Sequence, residues 1–152
     1  MTATELAALL SSAKALQHAA ASGHGRILLR GKNIGLLSED PDEDAATRFI
    51  AAAQGLGAQV ALIRPSHAGL LQPASALATT RMLGRLYDAI ECQGLPPELL
   101  EQLRQHGGVP VLDSQAGLAA CPLDWSEELR ISSPSELEHL LVQALLMRAL
   151  TG

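Results

Sequence analysis

Asn33-Ile34-Gly35-Leu36-Leu37-Ser38-Glu39-Asp40-Pro41-Asp42-Glu43-Asp44 is followed by Ala45 to Gly55, a stretch with helical spacing that ends on glycine. An apolar run, a tight loop and a helix start define a strand–loop–helix unit, the building block of parallel α/β sheets. In such units the free N–H groups and the positive end of the helix usually face an anion. Here five acids fall within the six residues from Glu39 to Asp44. The chain holds 16 acids against 11 Lys plus Arg, so this loop alone matches its net charge of -5.

Outward from that unit the same alternation continues. Thr2 and Glu5 predict a capping box, and Leu6, Leu9, Leu10, Ala13, Leu16 and Ala20 mark one face of a first helix over Thr4 to Ala20. Ser22-Gly23-His24-Gly25 breaks it, and the first strand is expected over Asn33 to Leu37. A second strand follows over Gln59 to Ile63. Arg64 to Ser75, rich in Pro, Gly, Ser and His, predicts a long surface loop. A short helix over Ala76 to Gly84 then leads to a third strand at Leu86 to Ile90. Pro96-Pro97 opens a helix over Glu98 to Gln105, closed by Gly107-Gly108, and a fourth strand spans Val109 to Leu112. Asp113 to Ser132 reads as irregular, and Pro134 to Leu150 as a last helix with Ser132 or Ser133 as its cap. Strands alternating with helices at this spacing predict right-handed crossovers in a three-layer α/β/α domain with a four-stranded parallel sheet.

Length and composition fit one domain. A chain of 152 residues can bury roughly two-thirds of its unfolded surface. Trp125, Tyr87 and Phe49 are its only aromatics, so the core must be built from Leu, Ala, Val and Ile. The chain lacks both an apolar run of about 18 residues and a leader pattern, which predicts a soluble, cytoplasmic protein. Scattered basic residues on an acidic chain give no case for nucleic acid. Cys92 and Cys121 lack the spacing of a metal or redox pair and read as plain thiols.

Several stretches resemble one family. Leu29 through Ala53, Arg81-Met82-Leu83-Gly84-Arg85-Leu86-Tyr87-Asp88-Ala89-Ile90 and Gly108-Val109-Pro110-Val111 look like the N-terminal, carbamoyl-phosphate-binding domain of the ornithine and aspartate carbamoyltransferases, with the ornithine enzymes more similar. The resemblance spans nearly the whole chain and implies one carbamoyl-phosphate-type domain over residues 1–152, without the amino-acid-binding second domain.

The resemblance also shows what has changed. The family's Ser-Thr-Arg-Thr-Arg phosphate loop aligns with Asp42-Glu43-Asp44-Ala45-Ala46, which keeps no member of the motif. The family's Arg before the Gly that follows the third strand is Gln93 before Gly94. Its His-Pro-Thr-Gln motif aligns either with Ser133-Pro134-Ser135-Glu136 or with Cys121-Pro122-Leu123-Asp124, and neither contains the His or the Gln. Its Lys-Gly-Glu-Ser loop and the Asp-Thr after it fall on Gln72-Pro73-Ala74-Ser75 and Ala78-Thr79.

Charge arithmetic gives these changes a sign. Two unit charges about 6 Å apart at an effective dielectric near 20 interact by roughly 3 kcal/mol, so carboxylates facing a phosphate oppose it. Each lost Arg removes a charge-assisted contact of about 1.5–3 kcal/mol. Carbamoyl phosphate is therefore not expected to bind.

Asp42, Glu43 and Asp44 read first as a cap and its dipole-favoured followers, with Asp42 at the N-cap. The sharper reading is a crevice that now takes a cation. The five His residues stand singly, Ser11-Ser12 and Ser132-Ser133 have no neighbouring base, and Tyr87-Asp88 is assigned to a strand.

The expectation is a degenerate, free-standing carbamoyltransferase domain without transferase activity, serving binding or assembly. It has no catalytic residue, cofactor or metal. Two alternatives stand beside it. One is a small-molecule or cation binder, or an enzyme, using Asp42, Glu43, Asp44, Gln93 and Glu136. The other is a subunit completed by a separate chain. The helix over 134–150 is apolar nearly all round, which predicts a homo-oligomer or protein partner docked on it.

Overall fold

The computed structural model describes residues 1–40 and 43–151. Helix α1, Ala3–Ala21, starts at the expected capping box: Thr2 N donates to Glu5 Oε2 at 2.9 Å and Glu5 N to Thr2 Oγ1 at 3.1 Å. Strand β1 spans Asn33–Leu37, helix α2 Asp44–Gly55 and strand β2 Gln59–Ile63. Helices α3, Pro65–Ala68, and α4, Pro73–Leu86, precede β3, Ala89–Cys92. Helix α5, Pro97–His106, leads to β4, Val111–Leu112. Short helices α6, Ser114–Ala119, and α7, Trp125–Glu128, then precede α8, Pro134–Thr151.

The strands form one parallel sheet in the order β2-β1-β3-β4. Side chains alternate across it. Ile34 and Leu36 join α1, α2, α8 and Trp125 in one core, whereas Leu37, Ile90 and Cys92 join Leu83, Leu99 and Leu103 of α4 and α5 in the other. The expected three layers are therefore present. Gly84 fixes the outer pair of helices: a Cβ there would collide with the carbonyl oxygen of Gly107, so α4 touches the end of α5 backbone to backbone.

Four expectations need correction. The stretch from Arg64 to Ser75 contains the helical turn α3 and the start of α4, because Pro65 and Pro73 both sit at favoured first helical positions. The third strand begins at Ala89 rather than Leu86. Helix α4 continues through Leu86, and Tyr87-Asp88 is the turn into the strand, where Asp88 Oδ2 accepts from Asn33 N at 2.8 Å and Asp88 N donates to Asn33 O at 2.7 Å. The fourth strand is shorter, since Pro110 lacks an N–H and offers only its carbonyl, to Ile90 N at 2.9 Å. The segment from Asp113 to Ser132 is not irregular throughout but carries α6 and α7.

Helix α8 finds much of its packing inside the chain. It packs on α1, α2 and α6, it buries Leu140, Leu141, Val142, Ala144 and Leu146, and none of its large apolar residues is exposed. A helix apolar all round has found its neighbours within the chain. Among the described residues no helix is long and apolar enough to cross a membrane.

Candidate functional site

In the order β2-β1-β3-β4 the chain leaves β1 toward one edge of the sheet and β3 toward the other, so a crevice opens between the carboxyl ends of β1 and β3. Ligands of open α/β sheets bind at such switch points. Ser38 after β1 and the start of α2 lie on one side, and Gln93-Gly94 after β3 on the other.

Gln93 spans the crevice. Its Nε2 donates to Ala45 O in the first turn of α2 at 3.2 Å and to Glu91 Oε2 at 3.2 Å, while its backbone N donates to Leu37 O at 3.0 Å. Gln93 is only 6% exposed, and its Oε1 is a buried acceptor without a partner among the described residues. Gln93, expected from the sequence as a crevice residue, has its side-chain donor committed within the protein.

Beneath it lies a group the sequence reading did not single out. Glu91 is fully buried in β3. Its carboxyl accepts from Ser114 N at 3.0 Å, from the Ser114 hydroxyl in a short hydrogen bond, and from Gln93. Burial pushes its pKa up to about 7, against the lowering effect of the Ser114 and Gln93 donors. Ser114 opens α6, whose first turn is capped by Asp113 Oδ1 accepting from Ala116 N at 3.1 Å. The available signal was one acid within the four-residue run Ala89-Ile90-Glu91-Cys92, since a charge in a strand covered on both faces demands partners. Chemically this is a carboxyl–hydroxyl pair, with no imidazole bonded to it among the described residues. Cys92 is no nucleophile beside it: burial pushes the thiol up to about 12.

The remaining expected residues do not converge on Gln93 through their side chains. Glu43 occupies the N-cap position of α2 with extended backbone and no side-chain capping bond, and both it and Asp44 are exposed. Asp42, expected as the cap, lies outside the described residues. Glu39 is turned aside: its carboxylate accepts from Ser66 N at 2.6 Å and Ser66 Oγ at 2.8 Å, and the Ser66 hydroxyl leads the effects that hold its pKa below the usual value. Glu136 is exposed in the first turn of α8 and opens on a separate groove with Arg48 and His139. No hydrogen bond or ion pair joins it to Gln93, Glu43 or Asp44 among the described residues. Nor do three His, Cys, Asp or Glu side chains come together as a metal site among those residues.

A parallel sheet in this order, two helical layers and a switch-point crevice walled by the first turn of α2 define a carbamoyltransferase-type α/β domain. The relatives make this specific. The chain is 40% identical over 111 residues to the catabolic ornithine carbamoyltransferase of Burkholderia mallei and 37% identical over 112 residues to that of Pseudomonas putida. These alignments cover 73% and 74% of this chain and 33% of each relative, so the chain spans about a third of the length of the relatives it matches. Among solved structures, ornithine carbamoyltransferase of Pyrococcus furiosus superimposes with a TM-score of 0.63 at 26% identity, over 73% of this chain and 36% of that one. The enzyme from Thermus thermophilus gives 0.60 at 27% identity, over 73% and 38%. No family model matches the chain.

Proposed function

We propose that this domain does not bind carbamoyl phosphate and acts as a binding or assembly module without transferase activity. The observation that carries the reading is Gln93. Where the resembled enzymes place an Arg, this chain has a neutral amide whose only donor group is held by Ala45 O and Glu91. A phosphate at the crevice would meet a closed Gln93, a buried acid beneath it and the exposed carboxylates of Glu43 and Asp44 at the mouth. Each of these disfavours an anion.

The assembly part of the reading rests on apolar side chains that stay open. Met82 and Leu86, one turn apart on α4, are 49% and 57% exposed, whereas α8 keeps none. Self-association through α4 stands in this reading beside the α8 contact expected from the sequence.

A second reading, a crevice that takes a cation or amine, draws on the unpartnered Gln93 Oε1 and the acids beside it. Reaching that oxygen requires the Gln93 side chain to swing out, because the atom is closed to solvent.

Calorimetry at low salt, where screening is weakest, tests the first reading with carbamoyl phosphate and with inorganic phosphate. No heat of binding is expected, and a dissociation constant below about 100 μM for either overturns it. Light scattering coupled to size exclusion tests assembly: a mass above one chain that Met82→Glu reduces supports α4, and a mass of one chain at about 100 μM removes assembly from the reading. Thermal shift with amines that Gln93→Leu abolishes would favour the second reading.

A further inference from the structure

We propose that the cavity between α1, the end of α2 and α8 is a binding site for a small amphipathic carboxylate. The cavity measures about 390 Å³, which suits a small ligand. Gly55 and Leu56 line it, so it lies at the opposite end of α2 from Asp44, about 16 Å along the helix, and is independent of the switch-point crevice.

Its floor is apolar. Leu16, Leu56 and Leu140, all core residues, present the surface that an alkyl or aryl group of a ligand would cover.

Its rim supplies donors of one kind. Gln143 Nε2 donates to Ala52 O at 3.0 Å and contacts His139 Nε2 at 3.1 Å, so that ring nitrogen is the acceptor and the His139 proton sits on Nδ1. His139 lines the cavity, and its Nδ1–H has no hydrogen-bond acceptor among the described residues. Arg26 is exposed and lines the same cavity, and no carboxylate lies within ion-pair distance of its guanidinium among the described residues.

The contrast with the adjoining groove decides the ligand's charge. That groove, on the other side of His139, contains Glu136 and Glu138, and its cation is taken, since Arg48 Nε pairs with Glu138 Oε1 at 3.2 Å. The proposed cavity has no Asp or Glu among its lining residues, on a chain whose net charge is -5. An unpaired guanidinium and an imidazole N–H above an apolar floor select one carboxylate attached to a short apolar body. Phosphate would leave the floor unused, and an amine would face Arg26.

The test is an amide ¹H–¹⁵N titration of the full chain at pH 7 and low salt, with hexanoate as the probe and hexan-1-ol and hexylamine as comparators. Hexanoate is expected to give saturable shifts at Gly25, Leu56 and Gln143 with a dissociation constant near about 1 mM, while the alcohol and the amine bind at least about tenfold more weakly. Arg26→Gln should weaken hexanoate by about tenfold, as expected for the loss of one charge-assisted contact. Ala20→Leu, at an exposed position on the cavity wall, should abolish the shifts while leaving the spectrum dispersed. Three results would each overturn the proposal: no saturable shift by about 10 mM hexanoate, equal binding of hexan-1-ol, or unchanged affinity in folded Arg26→Gln.

Discussion

Gln93 donates from Nε2 to the carbonyl oxygen of Ala45 across 3.2 Å, tying the end of β3 to the first turn of α2 over the switch-point crevice. The same amide leaves its Oε1 buried without a partner among the described residues, so one side chain both closes the crevice and carries an orphan acceptor. Gln93→Leu should therefore change stability by less than about 1 kcal/mol, because the lost bonds are offset by removal of the orphan acceptor. Gln93→Glu should destabilise by about 2 kcal/mol or more at pH 8, where a second buried carboxylate faces Glu91, and by less at pH 5. Urea denaturation at the two pH values measures both, and equal losses for Gln93→Glu at pH 5 and pH 8 would contradict this account.

Glu91 sets a pH dependence whose sign follows from its shift. Its folded pKa, about 7, lies above the ordinary value of 4.5, so between these values the folded state holds a proton that the unfolded state releases. Stability should fall as pH rises from about 4.5 through 7 and level off above, with a span of roughly 3 kcal/mol from this one group. Glu91→Gln keeps an uncharged side chain of similar shape and should flatten that slope. Chemical denaturation from pH 4.5 to 8.5 checks it: parallel curves for the two proteins would show that Glu91 does not titrate in this window.

Strands β1 and β2 are legible to the residue because Asn33–Leu37 and Gln59–Ile63 are apolar runs bounded by polar and glycine turns. The third strand was placed early for a physical reason. Leu86 and Tyr87 extend the apolar character of the strand backwards, but Leu86 belongs to the last turn of α4 and is largely exposed, so hydrophobicity alone marks the wrong element. Helices α3, α6 and α7 are four to six residues long and have too few turns to show a period. At the site, the position of Gln93 is readable from sequence, but its commitment to Ala45 is not. That bond depends on how close α2 comes to β3, a distance set by packing.

Gly84 of α4 lies directly against the carbonyl of Gly107 at the end of α5. Gly84→Ala improves local helix propensity by about 1 kcal/mol, yet the added methyl must push backbone rather than a mobile side chain. The clash should win, with a net loss of about 1–3 kcal/mol. Thermal unfolding provides the measurement, and a variant as stable as the parent would mean that α4 and α5 separate freely.

Leu146 lies in the middle of α8 and is fully buried in the core built with α1, α2 and Trp125. If α8 were an open docking surface, shortening this side chain would change assembly and leave the fold intact. The packing of α1, α2 and α6 around α8 predicts the reverse. Leu146→Ala should cost about 2–5 kcal/mol, combining lost transfer energy with the cavity left behind, whatever the oligomeric mass. Leu146→Glu should prevent folding, because the carboxylate would have no water and no cation in that core. By contrast Met82→Glu on α4, at a half-exposed position, should leave stability within about 0.5 kcal/mol of the parent. Denaturation and light scattering on the same samples separate the two roles: a stable Leu146→Ala variant with altered mass would return the interface to α8.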